Sequence, residues 1–547
     1  MTNQTRRDFV RTSATAASAL ALAPGLVLTS RAEYDLILRG GTVFDGRGTP
    51  GIEADVAISR GRVVAIARRL RDTGKVEIDA RGLAVSPGFV DIHSHGDGTL
   101  WDDPRAESVI RQGVTTIVVG QDGGSRAPRE SQGDGNSRNF EDFGALWKAL
   151  DELRPAVNVA TMIGLGTVRS IAVGPDNRPA TPAEIDRMRG LVAAAVAAGA
   201  CGASSGLEYT PGAFASREEL IALCMPLAER RLPYATHMRN EDDYLLDAID
   251  ESIAVARGAG CPLQIAHLKT QGPRNWNKLD TVFARVASAV GSGMDVTFDR
   301  YPYLAYQTGL TNLFPVWSRD GGNQAFLARL DDPSTAERIK TETLAKVELI
   351  GGWDNVQITS VNNPDDKSAE GQRLGAFAGR SGLDPYLAAA GLLKRNRSNV
   401  GMIGFAMSEP NLERILAHPR GMVCSDGGAF ALEGPARLGA PHPRSLGSFP
   451  RVLARYVRDR KTLTLPDAIR KMTSAPANRC RLRRGTLAAG EAADVVVFDP
   501  STVEDRATFN APFAYPVGIK AVVVGGSITL QDGQRSEPRS GVALRTL

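Results

Sequence analysis

Short alternating apolar and polar runs, broken by glycine turns, fill residues 33–85: "YDLILRGGTVFDG", "ADVAISRGRVVAIA" and "KVEIDARGLAV". Period-two alternation with turn residues between runs predicts a β-meander. The texture returns near the other end, in "RGTLAAGEAADVVVFDP" and "IKAVVVGGSITLQDG". One small β-sandwich domain, built from both chain ends (33–85 and 485–547), is expected. Between them the pattern changes to apolar strands alternating with amphipathic helices. The strand candidates are "GFVDIHSH", "GVTTIVVGQDGG", "AVNVATMIGLG", "GACGASSGLEY", "LPYATHMRNE", "CPLQIAHLKTQG", "GMDVTFDRYPY" and "GMVCSDGG". Helix starts are marked by Thr181 with Pro182 and Glu184, and by Ser216 with Glu219, the spacing of a capping box. Eight such strands predict an α/β fold, a (β/α)8 TIM-like barrel over residues 86–484. A doubly wound sheet is the alternative, but no GxGxxG opens any of these helices. One long gap, about 313–417, interrupts the rhythm and is expected to be an inserted subdomain on a βα loop near the active face.

Composition adds little to this outline. The 547 residues are 42% hydrophobic and 23% charged, with 65 basic against 61 acidic side chains. Most of the small positive excess lies in residues 1–32, so no polyanionic or nucleic-acid partner is indicated. That leading segment, "TRRDFVRTSATAASALALAPGLVLTS", resembles a twin-arginine export signal with small residues Ser30 and Ala32 before a cleavage point. A periplasmic location follows as an expectation, with no stable membrane insertion after cleavage. The five cysteines are odd in number and form no CxxC, which predicts reduced packing residues.

Candidate chemistry begins at "GFVDIHSHGDG", residues 88–98. Alternation puts Asp91, His93 and His95 on one strand face, and Val90 and Ile92 on the helix-facing side. Two imidazoles at i and i+2 can reach one metal ion. His237 and His267 end two further strand candidates, so four of the six histidines stand at strand ends of one barrel. Asp426 ends the eighth. His418 follows a helix and is expected to finish it. His442, beside Arg444, is expected either to shape its loop or to touch substrate. Arg169, after strand three, is expected to meet substrate or to form a loop salt bridge.

Histidines on strands one, five and six with an aspartate on strand eight resemble the metal constellation of the amidohydrolase superfamily. "PGFVDIHSH" and "RKMTSAPANRCRLRRGTLAAGEAADVVVFD" resemble its passages too. "GVTTIVVG", "SSGLEY", "HMRNE", "AHLK", "YPY", "SDGG" and "HPRSLGSFPRVL" fall in the order seen in N-acyl-D-amino-acid deacylases, the D-aminoacylase family. The resemblance implies a metal-dependent hydrolase acting on a small substrate with a free carboxylate. It implies one or two divalent ions, zinc or alternatively manganese or cobalt. His237 and His267 would hold the tighter ion, and His93 and His95 the weaker. Asp426 would be the catalytic acid/base. Arg444 would pair with the substrate carboxylate, and Lys269 and Tyr301 would line its pocket. The bridging ligand in these relatives is a cysteine, where this chain has Asp122, and they carry an aromatic residue where it has Glu208. Glu208, at the end of strand four, is therefore the expected bridge, with Asp122 as an outer or alternative ligand. Gln307 stands where the family has serine. A cyclic amide, or a dipeptide containing a D-residue, are alternative substrates; a metal-dependent binding protein without turnover is the alternative from another class.

Overall fold

The computed structural model describes residues 33–129, 138–537 and 539–546. The expected export signal, residues 1–32, lies outside the described residues.

Eight parallel strands form a ring. In chain order they are Phe89–Asp91, Val114–Val119, Asn158–Thr161 continued by Ile163–Gly164, Ala203–Gly206, Tyr234–His237, Leu263–Ile265, Val296–Arg300 and Gly421–Val423. They are called strands one to eight below. Strands one to three pair in order, and strands three to eight pair in order. A parallel bridge from Ser94 to Gly427, just beyond strands one and eight, closes the ring. In a ring of eight, strand four lies opposite strand eight.

Alternate residues feed opposite sides of the wall, as a period of two requires. Val118, Ala160, Ala235 and Met422 pack in one interior cluster, whereas Ile117, Val159 and Tyr234 pack outward with the helices. Strand one departs from the expected assignment. Phe89 faces outward, stacked on Phe449 at 5.6 Å, and Val90 and Ile92 belong to the interior cluster. Regular strand geometry ends at Asp91, and a bend at Ile92 and His93 turns both imidazoles into the mouth. The phase is reversed within the strand itself, and the bend after Asp91 is what brings the histidines to the mouth nonetheless.

The two chain ends share one nine-stranded sheet, joined where Ala84–Pro87 pairs antiparallel with Val495–Phe498. Hydrogen bonds between Val63 and residues 490 and 491 bring a far strand back against this junction, so the sheet curls over its own apolar core. The insertion between strands seven and eight contains an antiparallel sheet of Ala305–Gly309, Val400–Phe405 and Val356–Val361, with Val400–Phe405 central. It starts earlier than the sequence pattern indicates, because residues 305–309 pair with the inserted strand and not with the barrel. Leu313, Phe314 and Ile358 of the insertion join the same apolar cluster as the barrel interior.

Both marked helices form. Thr181 and Glu184 make the full capping box at Pro182–Ala197, and Ser216 caps Arg217–Cys224. Glu219 does not complete a second box; its carboxylate is taken by Arg169, and both side chains are buried. Arg169 also donates to the Arg178 carbonyl at 2.6 Å, which makes it a brace between helices and not a substrate contact. Removing one member of a buried ion pair leaves an uncompensated charge, at a cost of about 3–5 kcal/mol. Arg169→Ala is therefore expected to lower unfolding free energy by that amount in denaturant titration, and the double change Arg169→Met with Glu219→Leu to recover most of it.

Candidate metal centre

Three of the converging residues stand in left-handed backbone: Asp122 at φ 52°, His267 at φ 35° and Asp426 at φ 52°. Such conformations are uncommon for non-glycine residues and cluster where function fixes side-chain direction. For Asp122 the local sequence explains the turn. Gly120 and Gly123 flank it at φ 75° and 79°. A Cβ on Gly123 would lie 2.7 Å from the Gly206 nitrogen, and one on Gly206 only 2.1 Å from the Asp122 carbonyl oxygen. The glycines thus let the loop after strand two lie flat against the end of strand four, carrying Asp122 across the mouth.

That placement puts Asp122 among four imidazoles. Oδ1 is 3.5 Å from His93 Nε2 and 3.5 Å from His267 Nε2. Oδ2 is 3.5 Å from His95 Nε2 and 3.7 Å from His237 Nδ1. Asp426 Oδ1 closes the first pair, 3.1 Å from His95 Nε2 and 3.6 Å from His93 Nε2. His237 Nδ1 and His267 Nε2 are 3.0 Å apart. Three donor sets result, His93–His95–Asp122–Asp426, Asp122–His237–His267 and Glu208–His237–Glu241, each with ligand atoms within 4.8 Å of one another. His93 Nε2 and Asp122 Oδ1 are buried and accept or donate no hydrogen bond. Orphaned buried polar atoms are rare and call for a partner. Imidazole nitrogens and carboxylate oxygens in these numbers fit one or two divalent ions, zinc or manganese or cobalt.

Electrostatics points the same way. Burial would raise the Asp122 carboxyl, but His93 and His267 hold it well below the usual range. Burial likewise opposes ionisation of Asp426, and Arg444 foremost keeps it low. Asp91 lacks such company: burial pushes it up to about 7, against hydrogen bonds from Ser425.

Glu208 belongs to the third set alone, and Asp122 is the carboxylate that the other two share. Glu208 Oε2 lies 3.4 Å from His237 Nε2, the ring nitrogen turned away from Asp122, and accepts from Asn312 Nδ2 at 3.0 Å. It supports His237 from outside, as carboxylates commonly support ligating imidazoles. A longer side chain at the end of strand four overshoots the cluster, and the short Asp122 reaches it because its backbone is already overhead.

Other outer partners escaped the sequence reading. Asp299 accepts from the His267 amide at 2.8 Å and faces His93 Nδ1 at 3.7 Å. Asp91 accepts from the Ser425 amide at 2.9 Å and so ties strand one to strand eight. Asp299 alternates in phase with Thr297 on the inner face of "VTFDR", a signal that was available; the role of Asp91 depends on the bend after it. Lys269 lines the pocket, but its ammonium is held by both oxygens of Glu241 at 2.5 Å and sits 2.8 Å from His267 Nδ1. Its charge is neutralised by Glu241, and it takes the expected place in the pocket lining. Tyr301 lines the same pocket, and its buried hydroxyl has no hydrogen-bond partner. Arg444 lies over the Tyr301 ring at 4.7 Å and donates Nη1 to Asp426 Oδ2 at 2.6 Å. Gln307 accepts from the His442 amide at 3.0 Å. His442 shapes the loop: its Nδ1 accepts from the Arg444 amide at 2.9 Å, and Nε2 meets the Ala305 carbonyl at 2.9 Å. His418 caps Glu409–Ala417 and packs on Phe283 at 4.6 Å, remote from the cluster.

Comparison with known proteins agrees with this geometry. The sequence profile of the amidohydrolase family matches residues 76–307 and 438–530. An N-acyl-D-glutamate deacylase of Alcaligenes xylosoxydans xylosoxydans is 37% identical over 523 residues, covering 94% of this chain and 97% of the relative. A D-aminoacylase of the same organism is 37% identical over 512 residues, covering 91% and 95%. Among solved structures, the N-acyl-D-glutamate deacylase of Bordetella bronchiseptica, complexed with zinc and a phosphonate inhibitor, aligns with a TM-score of 0.81. It is 35% identical, and the alignment covers 94% of this chain and 100% of that one.

If Asp122 joins the first two donor sets, Asp122→Asn empties both. Glu208→Gln keeps a hydrogen-bond acceptor for His237 and is expected to retain the metal. Elemental analysis of metal per chain, after dialysis against a weak chelator, checks this. Full occupancy in Asp122→Asn with loss in Glu208→Gln would return the bridge to strand four.

Proposed function

The chain belongs to the amidohydrolase family, and from that premise we propose that it is a metal-dependent deacylase that hydrolyses the amide bond of N-acyl-D-amino acids to a carboxylate and a free D-amino acid. One observation carries the substrate reading: Arg444. It is a buried cation whose Nε has no hydrogen-bond partner, beside a Tyr301 hydroxyl that has none either. Unsatisfied donors of this kind suit a substrate carboxylate, and a guanidinium can bind one through two parallel hydrogen bonds. The names of the relatives, which specify D-amino acids, support the configuration.

His93, His95, His237, His267 and Asp122, with Asp426 at one side, would hold the metal. When bound, a divalent ion supplies Lewis acidity, which lowers the pKa of water from 15.7 to about 7 and polarises a carbonyl. Asp426 is placed for the proton work. Its Oδ1 faces the histidines at 3.1 Å, and Oδ2 is anchored on Arg444 at 2.6 Å. Ionised, it accepts a proton from the attacking water and returns it to the leaving nitrogen, because an amine anion is too poor a leaving group. Arg444 thus touches both the proton carrier and the proposed carboxylate, fixing their separation. His442 holds the Arg444 backbone in place. The twin-arginine pattern ahead of residue 33 supports export of the folded chain as part of the same reading.

Matched N-acetyl-D- and N-acetyl-L-amino acids are the direct assay, with turnover of the D series expected. Equal rates for both series would remove the stereochemical claim. Asp426→Asn is expected to lower kcat by roughly 10²–10⁴-fold while metal remains at His237 and His267. Arg444→Lys is expected to raise KM for free acids, since a point charge cannot reproduce the planar fork. If amidated substrates react as fast as free acids in the unaltered enzyme, the role of Arg444 is wrong.

A further inference from the structure

The end of the barrel away from the metal carries its own concentration of charge. Strand five runs from Tyr234 to His237, and His237 stands at the mouth. Arg231, three residues ahead of Tyr234, therefore lies at the opposite end of the barrel. Three separate segments meet there: residues 229–232 before strand five, residues 481–484 after the helix Ser474–Arg479, and residues 543–546. Between them is a cavity of about 830 Å³, within the roughly 300–1,000 Å³ of small-molecule clefts. Composition conceals it, because a near-neutral balance is an average over the whole chain.

Six arginines line this cavity, Arg230, Arg231, Arg481, Arg483, Arg484 and Arg545, against one acidic residue, Glu229. Two of the six are neutralised: Arg484 pairs with Asp494 at 2.7 Å and Arg545 with Asp151 at 2.5 Å. Arg230 donates to the main-chain oxygens of Val196 and Thr546 at 3.0 and 3.2 Å, and Arg481 to that of Arg231 at 3.4 Å. Such oxygens position a guanidinium without cancelling its charge. The Arg231 and Arg483 side chains make no ion pair or hydrogen bond among the described residues, and both residues are exposed. Four cations thus face one carboxylate in a concave space, where charge of one sign focuses the field.

An anion with several charged oxygens would offset the repulsion among them and tie the three segments together. A guanidinium matches phosphate through paired hydrogen bonds. Of the apolar lining residues, Leu232, Leu482 and Ala543 are buried and Leu544 is half-buried, so the cavity offers no exposed apolar side chain for insertion into a bilayer. We propose that this cavity binds a soluble small molecule carrying more than one phosphate group. The site is separate from the metal cluster and stands independently of the deacylase reading.

Inorganic pyrophosphate, titrated calorimetrically into the metal-loaded full chain, is the probe. One molecule is expected to bind per chain, and the unfolding midpoint to rise with its concentration, as binding to the folded state alone requires. In the double variant Arg231→Gln with Arg483→Gln, affinity is expected to fall at least tenfold while metal content per chain stays unchanged. Each single change is expected to lower affinity in the same direction, which frees the test from the folding of the double variant. Chelation at the metal cluster would appear equally in the variants, so equal binding by all the proteins would overturn the proposal. Citrate binding as tightly as pyrophosphate would overturn the phosphate class. Binding to anionic phospholipid vesicles without binding of pyrophosphate would overturn it in favour of a membrane contact.

Discussion

One carboxylate sets the geometry of the whole mouth. Asp122 stands 3.5–3.7 Å from imidazoles on three different strand ends. The shared anion, and the cations it helps to hold, draw the two pairs of histidines together in a dry site. Everything nearby serves that convergence: the glycines that flatten its loop, the left-handed backbone at His267 and Asp426, and the carboxylates that steady the rings from outside. The strain is local, and the continuous hydrogen-bonded ring beneath it holds these conformations in place.

Much of this was legible in the sequence. Eight apolar runs spaced by amphipathic helices give the barrel, and four histidines at the ends of three of them give the metal. Charge placement was harder to read. Glu208 and Asp122 are both acidic and both lie just past strand ends, so strand periodicity ranks the longer side chain first. The deciding fact is a backbone turn, φ 52° at Asp122 between two positive-φ glycines, and the pattern "GQDGG" reveals its meaning only once Gly206 is known to press against it. For Lys269, too, the position was legible and the charge partner was not. Its phase with His267 correctly placed it in the pocket, but its neutralisation by Glu241 arises between segments that the sequence does not align.

The insertion matters for the same reason. It adds no ligand to the metal cluster, yet Asn312 binds the oxygen of Glu208 that faces His237. One contact thus links the lid-like subdomain to a metal-supporting carboxylate. Because the insertion and the barrel interior share one apolar cluster, its position over the mouth is fixed by packing.

The curled terminal sheet has a consequence for how the chain is made. Its central seam joins Ala84–Pro87 to Val495–Phe498, segments roughly 400 residues apart, and closing so long a loop carries an entropic cost that only a preformed intervening structure removes. During synthesis the first strands emerge with an unpaired edge and wait until Val495–Phe498 has left the ribosome. The barrel between them is thus the template on which its own outer domain closes. A chain truncated shortly before Val495 would retain every metal ligand while leaving an open, aggregation-prone strand at its margin.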